Sequence, residues 1–467
     1  MTTFLLNDII INTDEHPGIT LLDFIRYRED LSGTKIGCRE GDCGACTVLE
    51  GRMENGKLQY RSIVSCLTPL GNAQSKHIVT VEGINMDTCS PVQQAMVDHN
   101  GTQCGFCTPG FIMSLTGHTM AYEPSEETSA IDSVNGNICR CTGYKSIERA
   151  AISISKMLKE KNPKDPLNWL IRNHFLPSYF EDIPERLSKI KSHQKAETKG
   201  KQIIGGGTDL MVQKPDEIAE SALNLYFDRS DLKEIRKKNN QIVIGSAATA
   251  NDIMHSEIIN DLIPNLKKHY KLISSDPIRN MGTLAGNIVN ASPIADLSIF
   301  FLALGANLLL DKEGKERELP LKDFFLGYKQ MDLKRGEYIK SIFFPIPVVP
   351  FGFNFEKVSK RTHLDIASVN AAAYIKTEQD TITECRIAVG GVSPVPLFLK
   401  ESSDFLTGKK LHINTLKQAV NVLNTEIAPI SDVRGSKEYK RLLARQLFFA
   451  HFLEIFPDRF SLQELIS

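Results

Sequence analysis

Cysteine placement constrains this chain more than any other feature of its sequence. Nine of the ten cysteines lie before residue 142, and the tenth, Cys385, stands alone in the last quarter. Eight of the nine fall into two sets of four, namely Cys38, Cys43, Cys46 and Cys66, then Cys104, Cys107, Cys139 and Cys141. Ten cysteines in 467 residues are about 2%, far below the ~8–10% of a disulfide scaffold. Clustered thiols of this kind favour metal or redox sites.

Length and charge exclude several kinds of protein. A chain of 467 residues accommodates about three domains of ~150 residues, and 42% hydrophobic residues are enough for each to bury a core. Lys and Arg number 55 against 56 for Asp and Glu, so no basic surplus favours general nucleic-acid binding. No secretory signal is visible over residues 1–12, and the longest apolar run, 297–310, is too short to cross a bilayer. We therefore expect a cytoplasmic protein without a membrane segment.

The first set of cysteines lies in a region whose pattern predicts a small mixed sheet packed on one helix. Thr20 is a suitable helix N-cap ahead of apolar residues, and two apolar runs around Asn7-Asp8 predict a hairpin. The expected elements cover Phe4–Leu6, Ile9–Ile11, 21–25, Thr47–Leu49, Leu58–Val64 and His77–Val81. The glycines of loop 37–46 allow the backbone to close around a cluster.

The spacing of the first set is C-x4-C-x2-C, with a fourth cysteine after a gap. This is the plant-type [2Fe-2S] ferredoxin pattern. A zinc site of four cysteines usually comes instead as two C-x2-C knuckles. The spacing therefore favours a [2Fe-2S] cluster on Cys38, Cys43, Cys46 and Cys66.

The second set lies in a region of predicted helices. Ser90-Pro91 and Pro109 indicate two helix starts, a third helix is expected over 126–134, and a fourth begins at Tyr144. Two antiparallel helical hairpins bring the two cysteine loops to one end of such a bundle. Spacing alone leaves this set open between zinc and iron–sulfur, because C-x2-C is also the commonest zinc knuckle.

The motifs CGFCTPG at 104–110 and CRCTGY at 139–144, following the ferredoxin-type set, resemble the molybdenum hydroxylases. Within that family the chain is similar to the iron–sulfur/FAD subunits of the bacterial xanthine dehydrogenase type, over nearly its whole length. The resemblance implies two [2Fe-2S] clusters. Cys104, Cys107, Cys139 and Cys141 would hold the cluster nearer the molybdenum, and Cys38, Cys43, Cys46 and Cys66 the cluster nearer the flavin.

A further motif is a strand from Gln202 that enters three glycines, 205–207, and then an expected helix. Glycines let backbone N–H groups reach a phosphate, and a helix N-terminus adds a favourable dipole. The motif lacks the G-x-G-x-x-G spacing of dinucleotide folds, and a glycine turn without a ligand is at least as common. The residues alone leave both explanations open.

Taken with the resemblance, this loop and the segment 279–296 imply an FAD site. Residues 203–210 and 283–287 would wrap the pyrophosphate, Asp296 would contact a ribitol or ribose, and Ile339 and Lys357 would line the ring system. Ile273 stands where eukaryotic relatives carry an aromatic residue, so stacking is lost there. A solvated surface position explains Lys357 equally well. The implied FAD residues are Ile203, Ile204, Gly205, Gly206, Gly207, Thr208, Asp209, Leu210, Ile273, Thr283, Leu284, Ala285, Gly286, Asn287, Asp296, Ile339 and Lys357.

The remaining chemistry-bearing residues receive ordinary interpretations. Cys89 and Cys385 match neither set and are expected to be small buried core residues. The eleven histidines lack metal-ligand spacing and are expected at the surface or in hydrogen bonds. Residues 358–368 resemble the family's loop beside the flavin, where nicotinamide would approach.

The predicted fold is α+β and multidomain. It comprises a β-grasp [2Fe-2S] ferredoxin domain (1–85), a four-helix [2Fe-2S] domain (86–160), a linker (161–200), an α+β FAD-binding domain (201–350) and an α+β C-terminal flavoprotein cap domain (351–467). Alternating apolar segments at Ala371–Ile375 and Cys385–Val389 predict strands in the last of these.

The resemblance implies an electron-relay subunit. A partner's molybdenum cofactor would oxidise hypoxanthine or xanthine, and electrons would pass through both clusters to FAD and on to NAD, with no catalytic residue assigned to this chain. The implied partner is a molybdenum-binding large subunit, in a heterotetramer of two small and two large subunits. The alternatives are the equivalent subunit of another N-heterocycle or aldehyde hydroxylase, and a zinc-stabilised interaction scaffold.

Overall fold

A computed structural model describes residues 1–190 and 202–466, in which the chain forms two units. The first unit comprises Met1–Asp228 together with Ser275–Gly282, and the second comprises Arg229–Ser274 and the chain from Thr283 onward. The segment 275–282 thus packs with the first unit, although both its neighbours in sequence belong to the second. Residues 191–200 of the predicted linker lie outside the described residues.

The N-terminal part of the first unit is a five-stranded mixed sheet packed on one helix, as predicted. Its strand order is β2-β1-β5-β3-β4, with β1 parallel to β5 and the other pairs antiparallel. Thr20 Oγ1 accepts from Asp23 N at 3.0 Å and so begins the helix. The elements are β1 (Thr2–Leu6), β2 (Ile9–Thr13), α1 (Leu21–Tyr27), β3 (Thr47–Glu54), β4 (Lys57–Val64) and β5 (His77–Val79).

Four helices follow, which confirms the predicted helical region: α2 (Pro91–Asp98), α3 (Thr108–Met120), α4 (Glu127–Asp132) and α5 (Lys145–Met157). Ser90 caps α2 through a reciprocal pair of hydrogen bonds with Gln93. Two more helices, α6 (Pro166–Arg172) and α7 (Ile183–Lys189), occupy the described part of the predicted linker. They bury Leu170 and Leu187, so this segment is packed onto the unit.

The glycine motif also belongs to the first unit. It lies between β6 (Gln202–Ile204) and α8 (Leu210–Gln213), and α9 (Pro215–Glu220) leads on to β7 (Leu223–Leu225), which pairs parallel with β6. Ile204, Met211 and Ile218 are buried in the same core as the first sheet. The predicted boundary at residue 201 remains a prediction, and residues 202–228 pack with what precedes them.

The second unit begins with a five-stranded antiparallel sheet of order β11-β10-β14-β9-β8. Phe300 and Phe301, on a helix that is buried on all sides, form the centre of its core. The elements in chain order are β8 (Ile235–Lys238), β9 (Gln241–Gly245), α10 (Ala250–Met254), α11 (Glu257–Asn260), α12 (Leu266–Lys271), α13 (Asp276–Arg279, in the first unit), α14 (Leu284–Val289), α15 (Asp296–Ala303), β10 (Asn307–Lys312), β11 (Lys315–Pro320), β12 (Phe325–Gly327), β13 (Gln330–Met331) and β14 (Tyr338–Pro345).

The C-terminal part is an antiparallel sheet of order β15-β16-β17-β18 with helices on one face. Alternate residues of the strand Val369–Glu378 pack in two different cores. Ala373 packs with the C-terminal helices, and Tyr374 packs in the core around Phe300. The elements are β15 (Gly352–Val358), β16 (Val369–Glu378), β17 (Thr381–Gly390), β18 (Leu397–Phe398), α16 (Lys400–Leu406), α17 (Ile413–Glu426), α18 (Lys437–Ile455) and α19 (Leu462–Ile466). The predicted α+β multidomain fold is confirmed.

Short 3₁₀ turns complete the described chain, at Ser65–Leu67, Leu70–Ala73, Val81–Ile84, Leu158–Glu160, Ser178–Asp182, Ser230–Leu232 and Leu321–Asp323. None of the helices in residues 1–190 and 202–466 combines the length and apolar character needed to span a bilayer.

Candidate cofactor sites

The first thiol set is gathered by a tightly wound loop between α1 and β3. The backbone is left-handed at Gly41 and Gly44, with φ of 77° and 66°. The N–H groups of Glu40 and Cys43 donate to Cys38 Sγ at 3.3 and 3.4 Å. Backbone donors directed at a ligand sulfur stabilise a cluster held by thiolates.

The four sulfurs of this set lie in two pairs. The hydrogen bond between Cys38 and Cys43 lowers the pKa of Cys38 to about 5 and raises the pKa of Cys43. The hydrogen bond between Cys46 and Cys66 likewise lowers the pKa of Cys46 and raises that of Cys66. The charge of Cys38 also raises the pKa of Cys66, so the two pairs are neighbours. This donor set fits a binuclear [2Fe-2S] centre, in which four cysteines share two irons.

The second thiol set repeats this arrangement at the starts of α3 and α5. Burial, together with a hydrogen bond to Cys139, raises the pKa of Cys107 to about 12. A hydrogen bond to Cys104 raises the pKa of Cys141. No three His, Cys, Asp or Glu side chains among the described residues are grouped as ligands of a single metal ion. Two thiol pairs fit a second binuclear centre, in which four cysteines share two irons.

Thr142 directs two donors at a ligand sulfur of the second set. Its hydroxyl donates to Cys139 Sγ at 3.1 Å and its N–H at 3.4 Å, while Cys139 N donates to Tyr144 Oη at 3.2 Å. Burial opposes ionisation of Cys139, but the Thr142 hydrogen bonds lower its pKa below the usual value. The sequence interpretation missed Thr142, although its place three residues after a ligand cysteine was a usable signal.

The two sets differ in exposure. Cys46 and Cys66 are buried, and Cys38 and Cys43 are half-buried. In the second set Cys104 and Cys141 are exposed, and so are two neighbouring aromatic side chains, Phe106 (48%) and Tyr144 (39%). The second set therefore lies at the surface of its unit.

The glycine motif of residues 203–210 is explained first by close packing. A Cβ on Gly206 would lie 1.8 Å from Met281 O, and one on Gly207 would lie 2.9 Å from Leu67 O. The helix that follows the glycines has only four residues, so the favourable dipole expected there is that of a single turn. These glycines are required by the fold of the first unit, whatever ligand they also approach.

The second predicted phosphate loop lies in the second unit at the start of α14. Thr283 caps this helix, its Oγ1 accepting from Gly286 N at 3.1 Å. The N–H groups of Leu284 and Ala285 donate to backbone carbonyls at 2.9 and 3.3 Å, and Asn287 N donates to Thr283 O at 3.0 Å. These predicted phosphate donors thus have acceptors within the protein. The Asn287 amide oxygen accepts from a residue of α15.

Asp296 and Lys357 form a largely buried ion pair in the second unit. Lys357 Nζ lies 2.7 Å from Asp296 Oδ2 and 2.9 Å from Leu272 O, and its side chain is 3% exposed. The alternative of a solvated surface lysine is therefore wrong, because the tertiary fold places an acid next to it. Asn370 Nδ2 donates to Asp296 Oδ1 at 2.5 Å, and Asn370 Oδ1 is a buried acceptor without a donor among the described residues. This polar group fits a hydroxyl-bearing ligand such as the FAD ribityl chain.

Two predicted ring-lining residues lie in the core. Ile273 and Ile339 are each 3% exposed, within the hydrophobic cluster around Phe300. Residues 203–210 belong to the first unit, and the other predicted FAD residues belong to the second. In loop 358–368, Arg361 bonds Asp365 through its N–H and Nε, at 2.8 and 2.7 Å.

The residues outside the motifs follow the predictions in part. Cys385 is buried, as predicted. Cys89 is exposed, so its assignment to the core was wrong; it directly precedes the cap of α2. His77 and His451 are buried and hydrogen-bonded, to Tyr60 Oη at 2.6 Å and to Asn354 Nδ2 at 3.1 Å.

Comparison with known families gives four matched regions along the chain. Residues 6–71 match the 2Fe-2S iron-sulfur cluster binding domain, and residues 80–152 match the [2Fe-2S] binding domain. Residues 180–347 match the FAD binding domain in molybdopterin dehydrogenase, and residues 355–455 match the CO dehydrogenase flavoprotein C-terminal domain. The fold and its two thiol sets, followed by these domains, define an iron–sulfur flavoprotein.

Individual relatives are similar to nearly the whole of this chain. Xanthine dehydrogenase of Blastobotrys adeninivorans is 29% identical over 96% of this chain and 40% of the relative, and aldehyde oxidase 2 of Rattus norvegicus is 28% identical over 95% and 38%. The solved carbon monoxide dehydrogenase of Hydrogenophaga pseudoflava is 26% identical, with a TM-score of 0.52 over 55% of this chain and 89% of that chain. The chain belongs to the molybdenum hydroxylase family, and it spans about two fifths of the length of these curated relatives.

Proposed function

We propose that this chain is the electron-transfer subunit of a xanthine dehydrogenase-type enzyme. In this proposal electrons from hypoxanthine or xanthine oxidation at a partner's molybdenum cofactor pass through the second thiol set, then the first, to FAD and finally NAD. The observation that carries the proposal is the grouping of eight cysteines into two sets, each of two thiol pairs. The similarity to xanthine dehydrogenases supports the substrate.

The residues of this chain would bind and orient the cofactors. Bound [2Fe-2S] clusters supply one-electron steps and bound FAD supplies the change to a two-electron hydride transfer. Thr142 stabilises negative charge on a ligand sulfur of the second set, and Asp296, Lys357 and Asn370 present polar groups to the flavin. The predicted FAD contacts of residues 203–210 and 283–287, and of Ile273 and Ile339, are part of the proposal.

The exposure of the second set supports a docking surface for the molybdenum-binding subunit. Cys104 and Cys141 are exposed beside Phe106 and Tyr144. Exposed aromatic side chains are enriched where proteins associate, and a cluster at the surface is accessible to an electron donor. We propose a heterotetramer of two small and two large subunits in the cytoplasm, and we retain the domain boundaries 1–85, 86–160, 161–200, 201–350 and 351–467.

The cluster assignment is tested by Cys104→Ala with Cys89→Ala as the matched control. Cys104 is a ligand in the proposal, whereas Cys89 is also exposed but lies outside both sets. In the reduced protein we expect Cys104→Ala to lose one of two paramagnetic iron–sulfur signals and Cys89→Ala to keep both. Loss of both signals from a folded Cys104→Ala protein, or loss of neither, would contradict the assignment.

The activity is tested by isolating the chain with the protein that copurifies. Iron, flavin and molybdenum contents are measured, followed by NAD reduction with hypoxanthine or xanthine. We expect purine-dependent NADH formation by the complex, and NADH-dependent reduction of an artificial acceptor by this chain alone. If the flavin-replete chain shows no NADH activity, NAD is not the acceptor. If the molybdenum-free chain oxidises purines, the proposed role of the partner is wrong.

A second candidate is the equivalent subunit of an aldehyde or another N-heterocycle hydroxylase. The 28% identity to aldehyde oxidase 2, close to the 29% to xanthine dehydrogenase, favours keeping it. Assays of the same complex with aldehydes and N-heterocycles distinguish the two candidates. Turnover of aldehydes but not of purines would show that the proposed substrate is wrong, while the proposed electron transfer through the clusters and FAD would still stand.

A further inference from the structure

The loops that carry the two thiol sets touch each other through their backbones. Ile138 N donates to Cys43 O at 3.0 Å. Cys43 is a ligand of the first set, and Ile138 directly precedes Cys139, a ligand of the second. A continuous path therefore runs from Cys43 Sγ through its own carbonyl, across one hydrogen bond, and along one residue to Cys139 Sγ.

Asn137 holds this contact together. Its Nδ2 donates to Gly44 O at 3.1 Å and to Thr47 Oγ1 at 3.4 Å, both next to the first set. Its Oδ1 accepts from Ser114 Oγ in α3 at 2.7 Å. The side chain is 4% exposed and its polar atoms are all engaged. One buried amide thus joins the loop of the second set, the loop of the first set, and a helix.

Glycines permit the loops to approach this closely. A Cβ on Gly44 would lie 2.3 Å from Gly136 O, and a Cβ on Gly110 would lie 2.2 Å from Gly44 O. Contacts under 3.0 Å are incompatible with a side chain at either position, so three backbone segments meet without intervening atoms. The geometry is that of a fixed junction, because such packing tolerates little displacement.

We propose that Asn137 is a positioning residue for electron transfer between the two thiol sets, and that the Ile138–Cys43 hydrogen bond is the route it secures. The step moves one electron, oxidising the donor side and reducing the acceptor side, and no bond or proton changes. Electrons tunnel more readily through bonded atoms and short hydrogen bonds than across a gap of the same length. The proposal rests on the proposed function, because it requires a cluster in each set.

The test compares Asn137→Leu with Asn280→Leu in the cluster-loaded chain. Both substitutions replace a buried amide of the first unit by an apolar side chain of similar size, and Asn280 Nδ2 also donates to a backbone carbonyl, Ser62 O, at 3.0 Å. Of these two amides, Asn137 joins the two thiol loops and Asn280 does not. Ser114→Ala is the milder variant, since it removes one of the three bonds and leaves the amide in place.

Four measurements are made on the cluster-loaded chain with dithionite as the reductant, so that none depends on NAD. Iron content and the signal of each cluster should match the wild type. In Asn137→Leu alone, the magnetic splitting between the two clusters should decrease in the fully reduced chain, and electron exchange between them should slow in a half-reduced chain. In a fifth measurement, hydrogen exchange of the Ile138 amide should be about tenfold faster, equivalent to losing one net hydrogen bond of ~1.4 kcal/mol.

The outcomes separate this inference from the function on which it rests. Faster exchange at Ile138 with unchanged splitting and electron exchange would show that the hydrogen bond is not the route. Unchanged exchange at Ile138 would show that Asn137 does not secure it. Absence of iron from the wild-type chain would overturn the proposed function itself. If Asn137→Leu does not fold, Ser114→Ala should show the same changes with smaller amplitude, and no change there would contradict the proposal.

Discussion

Replacing His451 by Gln should remove a defined part of the pH dependence of stability in the second unit. His451 lies fully buried in α18, where its Nδ1 is 3.1 Å from Asn354 Nδ2. Burial, with a smaller contribution from the charge of nearby His269, lowers the pKa of His451 to about 3. An imidazole in the unfolded chain has a pKa of about 6.5. The folded state therefore keeps this ring neutral over a range in which the unfolded state binds a proton.

The sign and size of the effect follow from these two values. Above about pH 6.5 the His451 ring is mostly neutral in both the folded and the unfolded state, so the stability it contributes is fully present. Between pH 7.5 and 5.5 only the unfolded state gains the proton, so the free energy of unfolding falls by about 1.4 kcal/mol for this residue. The variant should lose about 1.4 kcal/mol less than the wild type over the same interval, because glutamine does not titrate. Comparing the two proteins cancels the contribution of Glu356, whose pKa burial raises.

Urea unfolding at both pH values measures this difference. During urea unfolding at each pH, a brief hydrogen-exchange pulse is applied at one fixed pH. Mass spectrometry of peptides from β16 and β17 then reports the unfolding of the second unit. Fluorescence of Trp169, the only tryptophan of the chain, reports the first unit and should not change. His255→Gln is the control, because His255 is exposed in the same unit. If the free energy of unfolding falls between pH 7.5 and 5.5 by as much in the His451 variant as in the wild type, the reasoning is refuted.

Three further perturbations test the candidate sites. Thr142→Val removes a hydroxyl donor from a ligand sulfur, so the reduction potential of the second cluster should fall in a redox titration while that of the first stays unchanged. Gly206→Ala places a Cβ 1.8 Å from a backbone carbonyl, and Trp169 fluorescence in urea should show a destabilisation of the first unit of about 3 kcal/mol or more, whether or not flavin is bound. Lys357→Met leaves Asp296, whose side chain is 12% exposed, without its cation and should cost about 3 kcal/mol in urea unfolding. The double variant with Asp296→Asn should recover a part of this loss, and additivity of the two single effects would contradict the ion pair.

The parts of the fold that sequence predicts well are those determined by neighbours along the chain. Thr20 and Ser90 cap helices through donors three residues away. The first hairpin closes around Asn7, whose positive φ is typical of a tight turn. The two thiol sets are visible for the same reason, because loop ligands at short spacing require short-range backbone geometry.

The parts that sequence does not predict depend on contacts between distant segments. Nothing near Lys357 indicates that its ammonium group lies buried against Asp296, 61 positions away. The segment 275–282 has no local feature that assigns it to the first unit. The exposure of Cys89 likewise contradicts a compositional preference that holds for cysteine on average.

The glycine motif shows how one local pattern can have two causes. Three glycines allow a backbone to approach a phosphate, but they equally allow it to approach another backbone. In this chain the second cause is certain for Gly206, because the carbonyl of Met281, on a segment remote in sequence, occupies the space of a side chain. A glycine-replacement experiment at this position therefore cannot by itself identify a flavin loop, since it disrupts the fold first. Asp296 and Lys357 are the better positions, because a double-variant cycle separates their mutual stabilisation from any loss of flavin.

Asn137 combines a local and a long-range role in the same way. The sequence predicts that its neighbours Asn135 and Gly136 end a helix, whereas α4 ends at Asp132 in the folded unit. The amide also bonds Gly44 and Ser114, which are 93 and 23 positions away, and those partners become visible only in the folded unit. Because the amide and the close glycine contacts act on the same loop, the separation of the two thiol sets is set by packing between elements and not by either cysteine motif. Substitutions that preserve all eight cysteines should therefore still alter the communication between the two sets.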